Sequence, residues 1–457
     1  MKRVIMGITL ATLLAGTAFG LPATGAASTS LSPLSFTRMA LLRPDGSSEP
    51  AVAVGADGTV VVSALDGPVL DDFFTDVWKG PFGTAPTYQG PIDGAVGRGT
   101  GGTQALGGAD ADVDLGSTGT FHATTLLFQF NPTFHFVRNL AVSVIRCPNA
   151  AASDLRNCTD QLLDTTSTDR PFITSDGTHV YVAYHADARS GHILVRRSDD
   201  DGVTWRLAGD AITGLAGVTA SSTFNDLLGP IVADPNTHAV YQVFAAGDGG
   251  LQKAKTGIFN NIYVSTSLDL GAHWNATLVY AAPVASHLSN IFPALAVDRT
   301  TGSLYAAWSD GHAVSLSAST DHGATWSTPV AASTAPANTA IFPWVAAYGG
   351  TVDIVYYATD AASKDDPAAV WRVYMAQTTD NGAHISQGLV QDAPNHIGVI
   401  CTEGFACAPA ERTLLDLFEV AIDPITGMAA VSYVDDTAAT DATGTPLPQT
   451  ILAEQNP

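Results

Sequence analysis

The sequence predicts an all-β protein, a single β-propeller of seven four-stranded antiparallel blades, with six as the alternative count. Three observations predict it. An eight-residue frame recurs as Ser198-Asp-Asp-Asp-Gly-Val-Thr-Trp205, Ser267-Leu-Asp-Leu-Gly-Ala-His-Trp274 and Ser319-Thr-Asp-His-Gly-Ala-Thr-Trp326. A worn copy, Thr378 to Ile385, keeps Asp380 and Gly382 and loses the Trp. Copies roughly 50 to 70 residues apart mark an internal repeat. A second phrase recurs upstream of the frame: Pro, alternating apolar residues, a turn, then another apolar strand. The composition, rich in Gly, Ala, Thr and Val and only 14% charged, suits many short strands and tight turns.

Taken in order, the chain opens with Lys2 and Arg3, an apolar run from Val4 to Phe19, and small residues up to Ala27. This reads as a secretory signal peptide over 1–27, with Ala26 or Gly20 as alternative cleavage points. The run is too short for a membrane span, and no later stretch could cross a bilayer. Residues 28–457 form the propeller. The repeated phrase begins at Glu49-Pro50, Asp110, Arg170-Pro171, Gly229-Pro230, Phe292-Pro293, Phe342-Pro343 and Leu417, which makes seven blades. The Pro-bearing strand is expected innermost, with the eight-residue frame between the two outer strands. The segment Leu34 to Leu42 is expected to close the ring as the outer strand of the last blade, because closure removes exposed edges. Two stretches break the rhythm and read as insertions, near 71–108 and 395–416.

The frame has a mechanical reading. In each copy a Ser and an Asp can bond backbone N–H groups of the turn, a Gly supplies positive φ, and a Trp pins the turn to the sheet. The residues are Ser198, Asp200, Gly202 and Trp205; Ser267, Asp269, Gly271 and Trp274; Ser319, Asp321, Gly323 and Trp326. The pattern resembles the Asp box, or BNR repeat, of the sialidase superfamily. The resemblance implies a sialidase-like propeller in which these boxes are structural, and an activity on extracellular glycans. Its catalytic set is not carried over. The early Arg-Ile-Pro motif is replaced by Glu49-Pro50, and no Glu stands between Glu49 and Glu403 to activate a Tyr. Tyr356, Tyr357 and Tyr374 sit in strand-like repeats, where packing is the commoner role.

A propeller gathers the starts of its inner strands around one mouth of a central tunnel. The candidate catalytic residues are therefore Asp110, Asp169, Arg170 and Arg412. Glu49, Asp226, Phe292, Phe342, Arg372 and Asp416 are candidates for binding. Carboxylates with arginines and phenylalanines suit a polar ligand such as a sugar. No metal cluster is expected; calcium is the one cofactor such an oxygen-rich ring admits. The four cysteines read as Cys147–Cys158 and Cys401–Cys407 disulfides, although four cysteines allow three connectivities. The net charge of −23 excludes nucleic acid and anionic lipid as general partners. The expected protein is secreted and monomeric and meets a glycan or cell-surface ligand. It is either a divergent exo-glycosidase or a non-catalytic propeller serving as a scaffold.

Overall fold

The computed structural model describes residues 34–67, 74–93, 104–131, 136–166, 168–186, 191–215, 218, 226–247, 259–284 and 286–457. The expected signal peptide over 1–27 lies outside them. Seven antiparallel sheets follow one another along the chain, each built from four consecutive strands in sequence order, with one exception. In the seventh, Glu419–Ile422, Ala429–Asp435 and Gln449–Gln455 are joined by the chain's first strand, Phe36–Leu41, which pairs with Gln449–Gln455. The closing strand therefore comes from where the sequence placed it. The sixth sheet gains a short fifth strand, His396–Ile397, which pairs with Val370 and Trp371. The inner strands of successive blades touch, and the seventh touches the first, so the ring closes.

The hydrophobic effect explains the order within a blade. The second strand is covered on both faces by neighbouring blades. Its residues accordingly run apolar without alternation, as in Val180-Tyr181-Val182-Ala183-Tyr184, all fully buried. Outer strands face water and are half polar, as in Arg206–Asp210. Among the described residues, no helix is long and apolar enough to cross a membrane.

The eight-residue frames join the third and fourth strands of their blades. In the first, Ser198 Oγ accepts from Gly202 N at 2.8 Å and donates to Asp200 Oδ1 at 2.8 Å. Asp200 then accepts from the N and Oγ1 of Thr204, both at 2.7 Å. In the second, His273 replaces Thr, giving Asp269 its N at 2.9 Å and its Nδ1 at 2.6 Å. The turn needs two left-handed residues in succession, met by Asp201 and Gly202 at φ 59° and 85°. These hydrogen bonds hold Asp200, Asp269, Asp321 and Asp380 down at about 2. All four carboxylates face their own turns. Asp269→Ala is expected to lower the melting temperature by about 2–4 °C and to leave ligand binding unchanged, measured by thermal denaturation beside a binding titration.

The stretch near 71–108 departs from expectation. Thr75–Pro81 and Thr87–Pro91 are the two outer strands of the first blade, and Gln104–Leu115 is already the inner strand of the second. The alternation is hidden there because the outer hairpin is short and turns on Gly and Pro. Gly80 lies so close to Pro86 that a Cβ would stand 2.9 Å from its Cα. Trp78 is buried against the Tyr88 ring, 5.5 Å between centroids. Residues 71–73 and 94–103 of that stretch lie outside the described residues. Both nearest-neighbour disulfides, Cys147–Cys158 and Cys401–Cys407, are formed.

Candidate functional site

The site grows from a β-bulge repeated in the inner strands. The ladder slips between Ser48 and Ala51, Ala109 and Asp112, Asp169 and Phe172, Leu228 and Ile231, and Ile341 and Trp344. Bulges re-aim side chains and often border functional sites. Counting two residues back from the first ladder pair past the bulge, or from the first ladder pair of the inner strand in the fifth and seventh blades, gives one equivalent position per blade. The seven residues are Glu49, Asp110, Arg170, Gly229, Phe292, Phe342 and Leu417. Blades one to three present charge at this upper mouth, and blades four to seven present glycine or apolar side chains. Glu49, Asp110, Arg170 and Phe342 reach their positions at φ 48°, 31°, 52° and 57°, a region that disfavours side chains.

The charged half is one electrostatic unit. The Arg412 guanidinium meets Asp416 at 2.6 Å, and Asp416 N donates to Glu49 Oε1 at 2.9 Å. Arg170 lies 3.9 Å from Asp169. It stacks its guanidinium 4.5 Å from the Phe292 ring centre. Its Nη1 is buried with no hydrogen-bond partner. Burial works against the Arg170 charge, and Asp169, Asp416, Asp110 and Glu49 outweigh it, so its proton is held more tightly than usual. Burial pushes the Asp110 carboxyl up to about 7, with Asp169 adding to the rise and Arg170 opposing it. Burial, then Asp110 and Asp416, carry Glu49 well above the usual carboxylate range. Once Glu49 and Asp110 are protonated, the cluster's remaining carboxylates, Asp169 and Asp416, match its two guanidiniums in number.

Above the cluster opens a cavity of about 590 Å³, lined by Arg170 and Asp416 at its base. Its rim carries Asn290, His287, His312, Asp310, Lys364 and Glu403. The loop from 395 to 416 therefore shapes the site: Thr402, Glu403 and Gly404, inside the Cys401–Cys407 disulfide, line the cavity. Replacing both cysteines by serine is expected to weaken ligand binding about 3- to 10-fold, through the cost of ordering the loop, with little change in melting temperature. A binding titration beside thermal denaturation checks it.

Below the cluster the tunnel is plugged by rings. Phe172 packs on Phe292 and Trp344, with centroids 6.0 and 6.1 Å apart, and Phe342 packs on Tyr357. A small cavity of about 10 Å³ lies among Phe292, Phe342, Trp344 and Phe418. Phe292 and Phe342 are thus at the mouth as expected, but mostly buried within this plug.

The structure brings Glu49, Asp110, Asp169, Arg170, Arg412 and Asp416 together. Asp226 is buried, its Oδ1 2.7 Å from His185 Nε2, and His185 stands opposite Asp169 in the ladder. Arg372 does not join the group. It lies on the third strand of the sixth blade, and its Nε donates to the Asp392 carbonyl at 2.8 Å. A third strand stands away from the tunnel axis, which is why the expectation for Arg372 fails. Tyr356, Tyr357 and Tyr374 are buried, and no tyrosine is among the described residues lining the cavity. Sequence reasoning missed the rim residues Asp310, Lys364 and Glu403. Only Glu403 left a signal, through its place in the cysteine-bearing loop.

No protein-family model matches this chain, and no curated protein matches it. Solved structures do resemble it. Phage phi92 endosialidase shares 10% identity over 92% of this chain and 68% of its own, with a TM-score of 0.47. The GH93 α-L-arabinofuranosidase of Fusarium graminearum, solved with arabinobiose, shares 11% over 71% of this chain and 92% of its own, TM-score 0.47. The Hadza microbial sialidase Hz136 shares 13% over 75% of this chain, TM-score 0.45, and the match spans 66% of that sialidase. At such low identity the activity has to be argued from this chain's own residues.

Proposed function

We propose that the protein is a secreted, glycan-directed propeller that holds a sugar terminus in the upper cavity and acts on it as a divergent exo-glycosidase. One observation carries this reading. Arg170 lines the cavity, stacks on Phe292 among the surrounding carboxyl groups, and keeps a buried Nη1 without a partner. A buried donor left open is costly unless a ligand meets it. A sugar hydroxyl or carboxylate supplies the acceptor, and Lys364 at the rim adds positive charge.

Asp110 supports the catalytic half of the proposal. It is grouped with Arg170 and is not itself among the described residues lining the cavity. With its proton retained up to about pH 7 it is the general acid of this reading, for a glycosidic oxygen that reaches past Arg170, with Asp169 as the base that takes the proton of the attacking water. Arg170 positions the ligand, and Arg170 and Arg412 offset the charge that Asp110 gains on giving up its proton. The repeated turns act in this reading as Asp boxes, structural and apart from the chemistry. A non-catalytic scaffold is the second reading, favoured by the lack of a tyrosine nucleophile among the described lining residues.

The test is a panel of sialylated and neutral glycans incubated with the protein and read by mass spectrometry, with Arg170→Lys alongside. Loss of a terminal sugar, abolished in the variant, supports the exo-glycosidase. Binding without cleavage sinks the catalytic half and leaves a glycan-binding propeller. Neither binding nor cleavage overturns the glycan reading as a whole.

A further inference from the structure

Beneath the plug the tunnel opens again, at the lower mouth, into a cavity of about 360 Å³. Its walls are largely apolar, with Val52, Val113, Ile231, Leu295 and Val345 among them. Trp344 lines this cavity as well as the plug above it. Three carboxyl groups interrupt the apolar wall, and one of them, Asp114, is engaged by Arg299 and the Ser175 hydroxyl. Asp112 and Glu419 occupy the same place in the second and seventh blades, the first ladder position past the bulge in the second and the first ladder position of the inner strand in the seventh. In the other blades that place is taken by Ala51, Phe172, Ile231, Ala294 and Trp344. The pair flanks the small side chain of Ala51.

Their hydrogen bonds differ. Asp112 spends both oxygens, accepting from Ile173 N at 2.7 Å and from Val113 N at 2.8 Å. Glu419 accepts from Val52 N at 3.0 Å through Oε2 alone. Its Oε1 is buried without a partner, in a residue only 2% exposed. Arg299 reaches the cavity rim but is engaged by Asp114 at 3.6 Å and the Ser175 carbonyl at 3.3 Å. No lysine is among the described residues lining the cavity.

We propose that this lower cavity is a binding site for a small organic primary ammonium ion, with Glu419 Oε1 accepting from its N–H groups and Trp344 and the aliphatic walls enclosing its carbon chain. The alternatives fit less well. Calcium takes six to eight oxygen ligands, and the wall offers one open carboxylate oxygen. A sugar needs several polar partners around its ring, and most of the residues in these walls are apolar. An alkylammonium matches both halves of the cavity, with charge for Glu419, apolar surface for the valines and leucine, and a cation for the Trp344 ring face. Burial, with Asp112 adding to it, otherwise drives Glu419 toward its neutral form. A bound cation would hold it ionised. The plug separates this site from the upper cavity, so the inference stands apart from the glycan reading.

The experiment titrates the protein at pH 7.5 with n-pentylammonium chloride, 1-pentanol and calcium chloride in separate calorimetric runs. Pentylammonium is expected to bind one to one, at least tenfold tighter than pentanol. In Glu419→Gln, whose amide oxygen can still accept from Val52 N, the preference over pentanol should vanish. Equal binding of the alcohol, absence of binding, or calcium that displaces the amine would each overturn the proposal. If Glu419→Gln fails to fold, the contrast between amine and alcohol in the native protein decides alone.

Discussion

Arg170→Met is expected to weaken binding of any glycan the native protein retains by at least 100-fold, and to destabilise the protein strongly at pH 8. The guanidinium is the common counter-charge of Asp169, Asp416, Asp110 and Glu49. Removing one partner of a buried ionic group typically costs about 3–5 kcal/mol, because the other charges stay behind unpaired. The cost should shrink at pH 5, where Asp110 and Glu49 hold protons and less charge is stranded. Arg170→Lys separates the two roles. It keeps the charge and should keep most of the stability. It loses the planar stack on Phe292 and the fixed direction of Nη1, so binding should still fall. Denaturation curves at pH 5 and pH 8 beside a binding titration check both variants. A Met variant as stable as the native protein at pH 8 would show that the carboxyl groups do not depend on Arg170.

Stability should also run against the usual direction with pH, peaking near pH 4–5 and falling toward pH 8. Burial pushes Asp110, Asp112 and Asp353 up to about 7 and Asp76 up to about 6. A carboxyl group raised in the folded state binds its proton more tightly there than in the unfolded chain. Its contribution is fully present below the unfolded value near 4 and is lost as pH rises through 6 to 7. The repeated turns act in the opposite sense. Asp200, Asp269, Asp321 and Asp380 are held at about 2, so their contribution is present above pH 4 and lost as pH falls toward 2. The two windows leave a maximum between them. The net charge of −23 reinforces the fall at high pH through self-repulsion. A melting temperature several degrees higher at pH 5 than at pH 8 is the expected result. A flat profile from pH 5 to 8 would mean that these carboxyl groups are hydrated.

The ring was legible because its signals are local and repeated. The Ser-x-Asp-x-Gly turns recur in three blades with a worn fourth copy, the Pro-led strands in five, and even the closing strand near Leu34 to Leu42 stood out as an apolar segment without a partner. The first blade's outer hairpin was not legible, because Gly80, Pro86 and Gly90 break its alternation before a strand length accumulates. At the mouth, residues immediately ahead of the inner strands could be read from the repeat alone, which is why Glu49, Asp110, Arg170 and Asp416 fall together. Arg372 was chosen for its charge instead of its place in the repeat, and it lies elsewhere. Lys364 and Asp310 sit in loops that have no period, so nothing in the sequence aims them at the cavity. Asp112 and Glu419 did leave a trace, as charges inside apolar strands, whose meaning depends on which face turns toward the tunnel.

Glu49, Asp110, Arg170 and Phe342 all hold left-handed backbone, at φ 48°, 31°, 52° and 57°, and two or more of them would be more comfortable as glycine. Selection for stability alone would therefore erode the mouth first, one side chain at a time, while leaving the blades intact. A descendant of this chain that had lost its ligand should show glycine or asparagine at these positions long before its repeated turns decay. The residues found there in related propellers would then serve as a record of which lineages still use the mouth and which retain only the ring.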